Sequence, residues 1–250
     1  MCLIVLAYRV HPQYPLVLAA NRDEFRDRPA LPAHWWPDHP LIFAGRDERA
    51  QGTWLGITRQ GHFAAITNHR DLTRPLVQGP SRGELVVQAL NADIAPRATA
   101  HYAGFNLLYG SLNALRYHNN VEPTDTALEP GVHGLSNAFL DTPWFKVQRA
   151  RQALTAVIDP GHPPVTEDLF ALLDDAEPAP DAQLPSTGLS LEMERLVSSV
   201  SIPGTDYGTR SSTVLLVRAD GHVTFHERTW PGGSRVEETF MLDPAPIGGW

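Results

Sequence analysis

The residue best suited to covalent chemistry is Cys2, the only cysteine of the 250-residue chain, which directly follows the initial methionine. Because this second residue is small, we expect removal of Met1, which would leave a thiol and a free α-amine on one residue. An α-amine has an unperturbed pKa of about 7.7–8.0 and can act as a general base, and cysteine is a strong nucleophile. The alternative is a small apolar residue packed at the start of a strand. Position alone favours neither interpretation.

A second candidate is the run Asn21-Arg22-Asp23-Glu24, which directly follows a short apolar segment. Four consecutive polar residues are typical of a solvated loop. A hairpin, however, would bring positions 21–23 back beside position 2. There, an arginine would lower the thiol pKa, and an aspartate would hold the ammonium or the proton in transit. The spacing permits this arrangement without requiring it.

Three more polar residues stand at the ends or the beginnings of predicted strands. Asn68 and Asn137 each follow an apolar run, and an amide donor at such a place can serve an oxyanion hole, where it is worth roughly 3–4 kcal/mol. Asparagine is equally suited to ordinary turns. Arg210 precedes a strongly apolar segment, where it would supply a positive charge to a site or lie on the surface.

Composition argues against several classes of function. The net charge is −8, from 20 basic and 28 acidic residues, whereas a nucleic-acid-binding protein usually carries a basic excess. The 11 histidines lack the spacing of a zinc site, and no glycine-rich phosphate loop is present, so neither a metal nor a catalytic cofactor is predicted. No apolar run reaches the roughly 18–20 residues of a membrane span. A start without a signal peptide and a single cysteine predict a cytoplasmic protein without a transmembrane segment.

The elements that must position these residues follow the order strands, helices, strands. Strands are predicted at 3–10, 16–20, 52–58, 62–68, 105–109, 114–118, 211–218, 222–228 and 237–242, and helices at 81–92, 144–158, 166–173 and 190–197. The first helix is predicted to begin with a capping box of Ser81 and Glu84. Segment 21–28 is predicted to be a charged loop, and segment 174–187, rich in proline, alanine and aspartate, a surface loop. Hairpin-linked strands with segregated helices predict an α+β fold of two antiparallel sheets packed face to face, with helices outside them, as a single domain over 1–250.

Read in order, several blocks of this chain resemble the NRDE family, also called the transport-and-Golgi-organisation family, which is named for the tetrapeptide at 21–24. The matching blocks are Met1-Cys2, Asn21 to Phe25, Gly52 to Gly56, Thr67 to Arg70, Ser81 to Gly83, Gly104 to Leu107, His133 to Asn137 and Tyr207 to Arg210. The resemblance spans nearly the whole chain. One departure is Gln51, which stands where the family typically has a glycine and would alter a turn.

The family in turn resembles N-terminal-nucleophile hydrolases of the bile-salt hydrolase and penicillin V acylase type, which implies a four-layer αββα sandwich. The resemblance implies six catalytic positions. They are Cys2 as nucleophile and base, Arg22 and Asp23 beside it, Asn68 as oxyanion donor, Asn137 as a positioning residue and Arg210 as the remaining charge. The acylases have Arg-x-x-Asp where this chain has an adjacent Arg-Asp pair, so the roles of these two residues could be exchanged.

Two functions from different classes follow as expectations. The first is a cysteine amidohydrolase or acyltransferase acting on a C–N bond of a small molecule. The second is a non-catalytic carrier of an apolar ligand such as haem, because eukaryotic members of the family are associated with secretory-pathway organisation, lipid metabolism and haem movement. The candidate ligand contacts are Asn21, Trp54, His69 and His133, with Trp35 and Trp36 as further aromatic contacts for haem. Ligand identity and oligomeric state stay open.

Overall fold

The computed structural model describes residues 2–75, 77–92 and 99–243. Its strands are β1 (Cys2–His11), β2 (Tyr14–Phe25), β3 (Ala30–Trp35), β4 (Ile42–Asp47), β5 (Leu55–Thr58), β6 (His62–Asn68), β7 (Phe105–Ser111), β8 (Ala114–Asn119), β9 (Thr124–Ala127), β10 (Gly131–Leu135), β11 (Tyr207–Val217), β12 (His222–Thr229) and β13 (Arg235–Met241). Its helices are α1 (Gly83–Leu90), α2 (Phe145–Val157), α3 (Thr166–Leu173) and α4 (Leu191–Leu196), with a short 3-10 helix at Asp181–Gln183.

The strands form two antiparallel sheets. Sheet A has the order β10-β1-β2-β11-β12-β13, and sheet B has the order β3-β4-β5-β6-β7-β8-β9. The N-terminal strand therefore lies inside sheet A, with a partner on each side. Each of its backbone edges is paired, so the chain start is held in register with two other segments.

Three apolar cores separate four layers. The inner core lies between the two sheets and includes Leu6 of β1 and Phe43 of β4. A second core lies between sheet A and helices α2 and α3, and it includes Val5 of β1. The third lies between sheet B and α1. Because successive strand residues point to opposite faces, β1 contributes alternately to the first two cores. The architecture is the predicted αββα sandwich of the α+β class.

The segment predicted as a charged loop after position 20 is largely strand. Strand β2 continues to Phe25 because it is paired on both edges: Asn21 lies opposite Leu3 of β1 and opposite Ser212 of β11. The apolar pattern ends at Ala20, so the hydrophobic periodicity carried no sign of this extension. Strand β11 likewise begins at Tyr207, four residues before its predicted start.

The long helices agree closely with prediction, but the predicted capping box of α1 does not form. The N-cap position is occupied by Arg82, whose side chain makes no capping hydrogen bond. Instead the start of α1 is pressed against the turn before β5: a Cβ on Gly52 would come within 2.6 Å of the Gly83 carbonyl carbon. In that turn Gln51 has a φ of 60°, a left-handed conformation that glycine adopts more readily. The departure from the family pattern thus falls on a residue in a left-handed conformation.

Two remaining segments bear on the sequence predictions. Most residues of 174–187 are exposed, as expected for a surface loop, although Thr187 is buried at its end. Within the described ranges, none of the helices combines the length and the apolar character that crossing a membrane requires.

Candidate active site

Strands β1 and β2 bring Cys2 and Arg22 side by side. The two residues are direct partners in the antiparallel ladder, so their side chains share one face of sheet A. This is the inner face, because Ile4, two residues further along β1, belongs to the inner core. The Arg22 guanidinium crosses to sheet B, where its Nη2 lies 3.3 Å from Oδ2 of Asp47. The first cation of the site is therefore fixed between the two sheets.

Asp23, the next residue of β2, points to the opposite face of the sheet. The Thr209 hydroxyl donates a hydrogen bond to its Oδ1 at 2.8 Å. Burial raises the pKa of Asp23, while the positive charge of Lys146 and the Thr209 hydrogen bond act to lower it. Because adjacent strand residues face opposite ways, Arg22 is beside the Cys2 side chain, and the Asp23 carboxyl is on the helix side of the same strand end.

The thiol of Cys2 is not activated by its surroundings alone. Burial raises its pKa and the charge of Asp23 raises it further, while the Asp23 backbone N–H and the Arg22 charge lower it without cancelling the increase. A thiol with a raised pKa is protonated at neutral pH and is a poor nucleophile until a base removes its proton. Nucleophilic chemistry at Cys2 therefore requires a nearby proton acceptor.

The end of β6 is tied to the segment that follows β10, which brings sheet B close to Cys2. The Asn137 side-chain amide donates to the Asn68 carbonyl at 2.9 Å, and the Thr67 hydroxyl donates to the Ser136 carbonyl at 2.5 Å. The Ser136 hydroxyl in turn donates to the Cys2 carbonyl at 2.8 Å. Asn137 thus uses its amide to hold the backbone of Asn68, whose side chain lines the pocket described next.

Cys2 opens into a pocket of about 680 Å³ between the ends of the two sheets. Its described lining carries many more basic than acidic groups. The basic groups are Arg22, Arg26, Arg28, Arg46, Arg49, Arg82 and Arg210, and the acidic ones are Asp23, Glu24, Asp47 and Glu227. Among the described residues no group of three or more histidine, cysteine, aspartate or glutamate side chains is arranged to hold a metal ion.

Six of the predicted site residues line this pocket, and four do not. Those that line it are Cys2, Arg22, Asp23, Trp54, Asn68 and Arg210. The guanidinium of Arg210 is held at the rim, where it donates to the carbonyls of Phe25, at 3.1 Å, and Arg26. Asn137 is fully buried and does not line the pocket.

The structure does not bring three of the expected ligand contacts to the pocket. Asn21 faces the helices, and its amide nitrogen donates to two backbone carbonyls at 2.9 Å. The His133 ring bonds to Asp141 at 2.7 Å and to the Glu129 carbonyl at 2.8 Å. His69 packs against the Phe139 ring with centroids 4.9 Å apart. Polar residues next to matched motifs suggested ligand contacts, but strand alternation directs Asn21 and His133 elsewhere, and His69 follows the end of β6.

Most charged residues of the pocket were not predicted, and Arg82 and Glu227 are two examples. Arg82, just before α1, donates to the Gly104 carbonyl at 3.0 Å; burial lowers its pKa, and a thiolate at Cys2 would act to raise it. Its only sequence signal was its place in the block at 81–83. Glu227 of β12 is 4% exposed and accepts the Ala33 N–H at 2.8 Å. Burial raises its pKa to about 7, and nothing in the sequence pattern distinguished it from a surface glutamate.

Two solved structures have a similar overall fold at low sequence identity. One is a Caenorhabditis elegans N-acylethanolamine-hydrolyzing acid amidase ortholog, 7% identical with a TM-score of 0.44, covering 86% of this chain and 92% of that one. The other is the C2A mutant of the conjugated bile acid hydrolase from Clostridium perfringens, also 7% identical with a TM-score of 0.44, covering 99% of this chain and 94% of that one. Similarity at this level says nothing about the activity of this chain.

Similarity in sequence is much stronger. The profile of the family described as Transport and Golgi organisation 2 matches residues 1–232. The Bos taurus Transport and Golgi organization protein 2 homolog is 37% identical over 260 residues, covering 93% of this chain and 94% of the relative. The Homo sapiens homolog is 36% identical over 259 residues, covering 92% and 93%. With a match over most of its length and close mammalian relatives, this chain belongs to the Transport and Golgi organisation 2 family.

Proposed function

We propose that this chain is a cysteine amidohydrolase of the N-terminal-nucleophile type, which acts on an amide bond of a small molecule after removal of Met1. The observation that carries the proposal is the register of β1 and β2: Cys2 lies opposite Arg22, and the Asp23 carboxyl is on the other face of the same strand end. A thiol and a cation thus lie beside a pocket of about 680 Å³, with a carboxylate on the other face of the same strand end. A volume of this size suits a small-molecule substrate.

Acylation would use the α-amine of Cys2 as the base. The thiol is protonated at rest because its pKa is raised, so its proton passes to the amine as the sulfur attacks the amide carbonyl. A C–S bond forms, the C–N bond breaks, and the α-ammonium returns the proton to the leaving amine. Water then attacks the thioester and gives its proton to the α-amine, which passes it to the departing thiolate. The net reaction adds one water across the amide.

Asn68 is the proposed donor to the oxyanion that forms during both steps. Its side chain lines the pocket from sheet B, and its backbone is held by the amide of Asn137 at 2.9 Å. A donor fixed before the reaction begins stabilises the developing charge without a cost of reorganisation. The Asn137 side chain would act only through Asn68, since it is buried behind the pocket.

Transport of haem, the alternative function, is not favoured by the residues of this pocket. No histidine is among its lining residues within the described chain, and only Trp54 of the three expected tryptophans lines it. Trp36 is buried in the core beneath α1, and the Trp35 indole donates to Glu238 at 2.9 Å. The residues on which the haem hypothesis depended therefore do not fit that ligand in this pocket.

The proposal is tested with a panel of N-acyl anilides and N-acyl amino acids. Wild-type protein and Cys2→Ala are purified, and intact mass is used to verify that Met1 is absent from both. We expect hydrolysis by the wild type alone, with Cys2→Ser as a matched control that keeps the shape but weakens the nucleophile. Equal hydrolysis by wild type and Cys2→Ala, or no acylation of the mature wild type by p-nitrophenyl acetate across neutral pH, would contradict the proposal.

A further inference from the structure

Lys146 is the only lysine of the chain; the other 19 of its 20 basic residues are arginines. It is 1% exposed, and its Nζ has no hydrogen-bond partner within the described ranges. Lysines are rarely buried completely, because an ammonium without partners loses its hydration. A chain that otherwise uses arginine alone thus keeps a single lysine at a place where its charge is costly.

The position of Lys146 at the start of a helix makes the burial of its charge still less favourable. It is the second residue of α2, and a cation in the first turn of a helix is disfavoured by the helix dipole. The helix also packs closely on sheet A, since a Cβ on Gly134 of β10 would come within 2.6 Å of Val147 Cγ1. The side chain therefore has no route to solvent, and its ammonium needs the field of an anion nearby.

Several titratable or charged groups face this region from the elements packed around it. They are Cys2 from β1, Asp23 from β2, Arg70 from the segment after β6, Glu194 from α4 and Tyr207 from β11. On α3, Glu167 and Asp168 are exposed, and on β10 His133 is paired with Asp141. The lysine thus faces a mixed cluster that contains two carboxyl groups.

The Glu194 carboxyl has a cationic partner of its own, Arg70. Glu194 lies 2.9 Å from the Arg70 guanidinium and accepts the Thr187 hydroxyl at 2.5 Å. Among the neighbouring charges, Asp23 has the largest effect on the pKa of Lys146, which it raises. Lys146 likewise has the largest effect on the pKa of Asp23, which it lowers. The charges of Lys146 and of the Asp23 carboxyl are therefore coupled.

We propose that Lys146 is a positioning residue for the base: its ammonium competes with the α-ammonium of Cys2 for the carboxylate of Asp23, and so keeps the α-amine neutral and able to accept the thiol proton. This role rests on the proposed function. Two cations close to one buried carboxylate repel each other, so each lowers the pKa of the other. The positive charge of Lys146 therefore acts to lower the pKa of the α-amine, whose ordinary value is already about 7.7–8.0.

The choice of lysine over arginine agrees with this role. Burial lowers the pKa of Lys146 to about 8, and the charge of Asp23 acts in the opposite direction. Its charge therefore responds to the proton on the neighbouring amine. An arginine would stay charged at every pH that the protein experiences.

The single lysine and the single cysteine allow a direct test by NMR. Mature wild type, Lys146→Met and Lys146→Arg are labelled with 13Cβ-cysteine, and the Cβ resonance of Cys2 is followed against pH to obtain the midpoint of the α-amine. We expect the midpoint to rise by about one pH unit or more in Lys146→Met, and to stay at or below the wild-type value in Lys146→Arg. Midpoints that agree within about 0.2 pH unit in all three proteins would overturn the proposal.

A second measurement needs no lysine variant and applies if Lys146→Met does not fold. Wild type labelled with 13Cε-lysine gives one lysine resonance, whose midpoint we expect below the ordinary lysine pKa of about 10.4 and higher when an extra glycine ahead of Cys2 displaces the α-amine. A midpoint above about 10, or one unaffected by the extra glycine, refutes the competition. Absence of acylation by p-nitrophenyl acetate would instead refute the proposed function, and the NMR midpoints are measured independently of it.

Discussion

Arg22 lies directly opposite Cys2 in the ladder between β1 and β2, and its guanidinium is held 3.3 Å from Asp47 of sheet B. Burial acts most strongly on Asp47 and raises its pKa, but the hydrogen bonds from Arg28 and the Ala50 N–H, together with the charges of Arg28 and Arg22, outweigh burial and lower the pKa. The Asp47 carboxylate is therefore ionised at neutral pH and keeps Arg22 in place. The contact between the two sheets thus fixes the cation next to the sulfur.

Replacing Arg22 with glutamine should raise the thiol pKa of Cys2 further, because the Arg22 charge lowers that pKa. Alkylation by iodoacetamide at a pH below the thiol pKa should slow by about 3- to 10-fold. The rate is measured against pH in both proteins. Arg149→Gln, an exposed arginine of α2 paired with Asp175, is the control and should alkylate at the wild-type rate. Superimposable pH profiles for Arg22→Gln and wild type would show that Arg22 does not lower the thiol pKa of Cys2.

Replacing Asn68 with alanine should lower the rate of Cys2 acylation by about 10²- to 10³-fold, the usual effect of losing one oxyanion donor. The side chain lies at the pocket and is partly exposed, so the free energy of unfolding should change little. Single-turnover release of p-nitrophenol gives the acylation rate, and urea denaturation gives the stability. An acylation rate equal to that of wild type would show that a group other than Asn68 donates the hydrogen bond to the oxyanion.

Replacing Asn137 with alanine should affect both properties. The change removes the hydrogen bond to the Asn68 carbonyl at 2.9 Å and leaves a buried polar group without its partner, which costs about 1–3 kcal/mol. Acylation should also slow, because Asn68 loses its support. Loss of stability with an unchanged acylation rate for the folded fraction would give Asn137 a purely structural role.

Glu227 should make the stability of the protein depend on pH. Burial raises its pKa from an ordinary 4.5 to about 7, so the stability that it contributes is complete below about 4.5 and is lost as the pH rises through about 7. Glu227→Gln keeps an acceptor for the Ala33 N–H and has no charge. Above the folded pKa the variant should be more stable than wild type, on the order of 2–3 kcal/mol. Urea denaturation of both proteins at low and at high pH gives the free energy of unfolding of each. A difference between variant and wild type that is the same at both pH values would contradict the prediction.

Much of the architecture could be predicted because it is carried by apolar periodicity. The helices at 144–158 and 166–173 and the hairpins of the last strands have clear patterns, and the structure confirms them. The pattern stops at Ala20, however, and the strand does not, because Asn21 to Phe25 are held by backbone pairing with β1 and β11. Backbone pairing leaves no trace in hydrophobicity, so the polar half of β2 was predicted as a loop.

The same limit explains what was missed in the candidate site. Cys2, Arg22 and Asn68 could be selected from residue type and order, but the separation of Arg22 from Asp23 depends on strand alternation within a strand that was not predicted. Lys146 lies in a correctly predicted helix, and only the packing of α2 on sheet A makes it a buried cation. Charges that matter because of burial have no sequence signature.

The measurement that tests the central claim most directly is the mass of the acyl-enzyme. Mature wild type and a form with one extra glycine ahead of Cys2 are mixed with p-nitrophenyl acetate, quenched with acid and examined by intact and peptide mass spectrometry. We predict that one acetyl group appears rapidly on Cys2 of the wild type and at least about tenfold more slowly in the extended form, which keeps the thiol but displaces its amine. Equal labelling of both forms, or labelling away from Cys2, would contradict an N-terminal nucleophile.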